Sequence, residues 1–94
     1  MPKILIIRNL VFLIFGVDIW ENRRHIHIVK KSVQRFKPAK FWMSPEILVS
    51  EKGDFTEIEI RKIEYLITEY QDLINLQLDD FLAGKKVRIV KINK

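Results

Sequence analysis

At Glu51 the apolar pattern of the chain changes period. Upstream lie the short runs "KILII", "LVFLIF", "HIHIV" and "AKFWM". Their length and their Ile, Leu, Val and Phe content argue for strands. Downstream, "TEIEIRKIEYLITEYQDLINLQLDDFL" repeats apolar residues at helical spacing. Ile60, Ile63, Ile67, Tyr70 and Ile74 mark one stripe, which Leu66, Leu73 and Phe81 widen. A strand buries alternate residues and a helix buries every third or fourth, so the two halves need different elements. Strands followed by helices predict an α+β fold, a small antiparallel sheet covered by one or two helices.

The element limits follow from local signals. Residues 3–7 and 10–15 read as two strands joined by a turn, and residues 16–22 read as a loop. Residues 25–29 and 39–43 give a third and a fourth strand, with a brief pairing over residues 47–49. Thr56 and Glu59 form a capping box, flanked by Phe55 and Ile60 as its hydrophobic staple. The stripe fits one helix of about seven turns, or two with a break near Gln71 and Asp72. Gly84 and the lysines after it end the helical region. "VRIVKI" at 87–92 alternates, as a last strand or as a tail that orders on a partner. Residues 1–83 thus read as a single α+β domain, and residues 84–94 as a basic C-terminal strand or tail.

A chain of 94 residues with 48% apolar content can build one core shared between few elements. A shallow groove, or a site completed by a partner, suits it better than a large enclosed cavity. With no cysteine, thiol nucleophiles, disulfides and thiolate zinc sites are excluded. A cysteine-free small domain fits a reducing, cytoplasmic setting. Lys3 and Arg8 precede an apolar run at the N-terminus, but no small-residue cleavage pattern follows. The run is also too short to span a bilayer. Neither secretion nor membrane insertion is expected.

The net charge of +5 is unevenly placed. Residues 1–45 hold nine basic and two acidic side chains; residues 46–83 hold three basic and ten acidic; residues 84–94 hold five basic and no acidic. The strand region would attract a phosphate backbone or an acidic protein. The helical region would repel nucleic acid and attract a basic partner or a second copy.

The opening "MPKI", the aromatic-apolar second strand, "HIHI" at 25–28, "AKFWM" at 39–43, Pro45 and "GDFTEIEI" occur here in a distinctive order. In these features the chain resembles the small bacterial proteins of domain-of-unknown-function family 4160, over roughly residues 1–82. Family members commonly carry Glu and then Pro-Pro before the His-x-His. Here Glu21 is followed by Arg23 and Arg24, which add charge where prolines would stiffen the chain. The resemblance implies a two-gene, toxin–antitoxin-like module, and with it a small neighbouring-gene protein as partner. It implies no chemistry.

His25 and His27, the two histidines of the chain, fall on one side of their strand. As a catalytic pair they would deprotonate a ribose 2′-hydroxyl and protonate the leaving 5′-oxygen. Arg23, Arg24, Lys31 or Lys40 would hold the phosphate, and Trp42 would stack a base. The same residues would serve RNA contact without cleavage. A metal site needs a third ligand, which Asp18 or Glu21 would have to bring from the preceding loop. No compact acidic set completes it, so no metal and no cofactor is expected. The plainest alternative has both rings hydrogen-bonded within the sheet and Trp42 in the core.

Surplus apolar residues gather late in the helical region. Phe81, Leu82, Val87 and Ile89 are candidates for a partner contact, either with the neighbouring-gene protein or in self-association. The expected function is therefore a module component acting through protein binding and RNA contact. The alternatives are a metal-independent ribonuclease using His25 and His27, and a passive protein-binding adaptor.

Overall fold

A computed structural model describes residues 3–14 and 23–93. Expectations about Phe15, the loop at 16–22, Asp18 and Glu21 lie outside the described residues. The elements in chain order are β1 (Lys3–Ile7), β2 (Leu10–Leu13), β3 (His25–Lys30), β4 (Ala39–Trp42), β5 (Leu48–Glu51), α1 (Glu57–Glu69), α2 (Gln71–Leu82) and β6 (Val90–Ile92). The strands form one sheet in the order β5-β4-β3-β2-β1-β6. Every neighbouring pair is antiparallel except β1 and β6, which run parallel. The fold is α+β, a mostly antiparallel sheet with two helices.

Register explains which side chains are dry. Phe12, Ile28 and Ala39 stand abreast on β2, β3 and β4, and Ile26 stands opposite Phe41. These residues join Ile4, Ile7, Ile14 and Met43 under Ile60, Ile63, Ile67, Ile74 and Leu78 of the helices. Phe12 and Phe41 are fully buried there, each contributing about 1.5–3 kcal/mol of apolar transfer. The predicted stripe is thus the covered face of α1 and α2. β5 contributes little to this core, since all four of its residues are exposed.

The capping box forms as the spacing predicts. Glu59 N–H donates to Thr56 Oγ1, and Thr56 N–H donates to Glu59 Oε1. Phe55 and Ile60 on either side are both buried. Just upstream, Gly53 has φ +58, and a Cβ there would lie 2.2 Å from the Lys37 carbonyl oxygen. Only glycine fits this close approach. Asp54 secures the same contact, donating its N–H to the Lys37 carbonyl while its carboxylate accepts the Lys37 N–H.

The helical stripe breaks once, at Tyr70, which closes α1 and opens α2 with φ −108 and ψ 20. The C-terminal segment then returns to the sheet as β6. Buried Gln77 on α2 fixes that return, its side-chain amide donating to the carbonyls of Ile4 and Arg88. Among the described residues, no helix is long and apolar enough to cross a membrane.

Candidate functional site

The alternation of β3 sends His25 and His27 to the side of the sheet away from the helices. Register then sets their neighbours: His25 lies opposite Trp42, and His27 lies between Leu13 and Lys40. The two imidazoles meet edge to face at 5.4 Å, and His25 meets the Trp42 ring at 5.3 Å. His25 Nδ1 is 3.1 Å from the Arg23 carbonyl oxygen. A carbonyl only accepts, so this nitrogen donates and carries the proton. Arg23 and Lys40 each place their charge 4.5 Å from the Trp42 ring centroid. Arg23 also donates Nε–H to the Ser44 carbonyl at 2.7 Å.

The strand therefore gathers His25, His27, Arg23, Lys40 and Trp42, but not as an open catalytic groove. His25 is 2% exposed and His27 is 9% exposed. General acid–base cleavage needs both rings within hydrogen-bond reach of a bound ribose and phosphate. The expected base platform is likewise engaged, because a base stacking on Trp42 would have to displace a packed cation.

Two predicted phosphate contacts lie elsewhere. Arg24 follows the opposite parity and turns to the helices, where it donates to Asn75 Oδ1 at 3.1 Å and Asp79 Oδ1 at 2.7 Å. Lys31 is exposed beyond the far end of β3, about 13 Å along the chain from His27 at strand rise. Among the described residues, no group of three or more His, Asp or Glu side chains is placed to hold a metal ion.

The predicted partner residues also divide. Phe81 and Val87 pack against the core. Leu82 and Ile89 remain exposed, at 54% and 44%. Phe81, at the end of α2, and Val87, in the segment leading to β6, turn inward, while Leu82 and Ile89 turn outward.

A second site has no counterpart in the sequence reading. A groove of about 620 Å³ runs between the β1–β2 turn and α1. Ile7, Leu10, Ile63 and Leu66 form its floor; Ile58 and Tyr65 rise beside it. Those last two are the most exposed large apolar side chains described, at 68% and 69%. Arg8, Arg61 and Lys62 also line the groove. Its single carboxylate, Glu59, is paired with Lys30 at 2.6 Å. That hydrogen bond and the Thr56 N–H hold the Glu59 carboxyl below its ordinary range. The signal was present in the helical wheel. Ile58 and Tyr65 each sit two positions from a core isoleucine, about 200° around the helix, so they cannot share the buried stripe.

A family model described as Domain of unknown function (DUF4160) matches residues 10–77. That span includes the histidine strand, the whole of α1 and more than half of α2. No curated protein and no solved structure matches the chain.

Proposed function

This chain belongs to the family described as Domain of unknown function (DUF4160), and from that premise we propose a protein-binding role. The chain is read as the partner-binding component of a bacterial, cytoplasmic two-gene module of toxin–antitoxin type. One observation carries the reading, the α1 groove with Ile58 and Tyr65 standing out of it. Large apolar side chains at such exposure, grouped beside an apolar floor, mark a surface that a partner would cover. The histidine cluster supports scaffolding of β3 and β4 rather than chemistry, because its rings are covered.

The test is coexpression with the untagged product of the neighbouring gene. That product is expected to copurify with the wild-type chain and to be lost from a folded Ile58→Asp/Tyr65→Asp variant. Failure of the wild-type pair to associate, or retention by the variant, would overturn the reading.

RNA contact is a second reading, favoured by Arg23 and Lys40, whose cations each lie 4.5 Å from the Trp42 ring centroid. Electrostatic contact of this kind must weaken steeply with salt. RNA affinity should fall as salt is raised and fall further in an Arg23→Gln/Lys40→Gln variant. No binding at low salt would remove this reading.

A further inference from the structure

The geometry points to an acidic amphipathic helix of another protein as the occupant of the groove between the β1–β2 turn and α1. This rests on the protein-binding reading and adds the chemistry of the partner.

The backbone argues for a helix. β1 is paired on both sides, with β6 and β2, and β2 is paired with β1 and β3. The groove therefore offers side chains and no open strand edge. An extended peptide laid there would leave its own N–H and C=O groups without the ladder that makes strand addition favourable. A helix arrives with those groups satisfied internally. Ile58 and Tyr65 are seven residues apart on α1, about 10 Å along its axis. Partner side chains at i, i+3 or i+4, and i+7 repeat over the same length and can seat on the apolar floor between them.

Charge argues for acidity. Arg8, Arg61 and Lys62 line the groove, and its one carboxylate is neutralised by Lys30. Arg61 and Lys62 are exposed, and neither enters an ion pair among the described residues. Carboxylates flanking the partner's apolar stripe would meet them.

The same features argue against a second copy. A two-fold contact through α1 would set Arg61 and Lys62 of one copy near those of the other, and like charges repel. The chain's own α2 is acidic on its outward face, but Leu76 and Leu82 are its exposed apolar residues. Six positions apart, they lie on different sides of a helix and cannot both enter one groove.

The probes are two helix-stabilised peptides of about 14 residues, four turns. Both carry leucine at i, i+4 and i+7. Glutamate flanks the leucines in one and lysine in the other. Binding to the full chain is read by fluorescence anisotropy, with circular dichroism confirming that each variant is folded. The glutamate peptide is expected to bind at least about tenfold more tightly. An Arg61→Glu/Lys62→Glu variant should reverse the preference, and Tyr65→Asp should weaken both peptides.

Equal affinity for the two peptides, or binding of neither, would overturn the acidic-helix assignment. So would a wild-type dimer that Tyr65→Asp dissolves, which would give the groove to a second copy. Anionic phospholipid vesicles that bind the chain while the glutamate peptide does not would give it to a membrane surface instead. The broader reading fails separately, when the copurified neighbour stays bound to the Ile58→Asp/Tyr65→Asp variant.

Discussion

β3 buries side chains on both faces, but the two burials are built differently. Toward the helices, Ile26 and Ile28 enter a hydrocarbon layer with Phe12, Ala39 and Phe41, all wholly inaccessible. On the other face, His25 and His27 are nearly as inaccessible, yet their neighbours include Trp42 and Lys40. The first layer is held by area and close packing. The second is held by directional contacts, including the His25–Arg23 hydrogen bond and the edge-to-face rings. Burial of a titratable side chain thus reports its position in this sheet and says little about chemistry performed there.

The two faces differ most at adjacent residues of β4. Phe41→Ala should destabilise the chain by about 3–5 kcal/mol, since it opens a cavity in the helix-side layer. Trp42→Ala removes a larger ring that is only half-buried, and should cost less. Urea denaturation of both variants measures the difference. If Trp42→Ala proves the more damaging, the cation-lined face contributes more to stability than its partial exposure indicates.

A smaller effect is expected at His25. Replacement by leucine keeps an apolar body but leaves the Arg23 carbonyl without this donor, at about 1–3 kcal/mol. The same denaturation experiment reads it. A neutral or stabilising outcome would mean that the second face is as indifferent to polar contacts as the first. Arg23→Gln comes next, removing a cation from the Trp42 ring and a donor from the Ser44 carbonyl. A loss of about 0.5–1 kcal/mol is expected for the ring contact. Added salt should shrink any part of it that is electrostatic.

What the sequence made legible follows the same division. The helix-side layer announced itself through periodicity. Ile60, Ile63 and Ile67 could be assigned to one face, and Thr56 with Glu59 marked where the helix starts. The break at Tyr70 was only half legible, since the stripe fitted one helix as well as two with a break near Gln71 and Asp72. The histidine face was legible in direction and not in cover. Alternation places His25 beside His27, but burial depends on what lies across the sheet. Arg23 and Arg24 read as a pair because they are adjacent; on a strand, adjacency sends them to opposite faces. Gln77 gave no signal, since its two acceptors lie on Ile4 and Arg88, and only the return of β6 beside β1 brings those carbonyls together.

Glu59 offers the smallest effect and the sharpest check on the layer beneath α1. It ties the start of that helix to β3, closing the capping box while pairing with Lys30, whose ammonium also lies 5.6 Å from the Phe36 ring centroid and 5.7 Å from that of Phe55. Its carboxyl is held below the ordinary glutamate range, chiefly by the Lys30 hydrogen bond and then by the Thr56 N–H. A depressed folded-state pKa means that the unfolded chain takes up the proton first as pH falls. The stabilisation is therefore fully present above the ordinary glutamate pKa and disappears as pH drops through the lower, folded value. Glu59→Gln keeps a side chain able to cap the helix but cannot pair ionically with Lys30. Thermal midpoints should favour the wild type slightly at neutral pH, and the gap should close as pH falls below the ordinary glutamate range and through the lowered folded-state value. A gap that persists in acid would show that Glu59 acts through shape and neutral hydrogen bonds, and that Lys30 is held on this face by Phe36 and Phe55 without it.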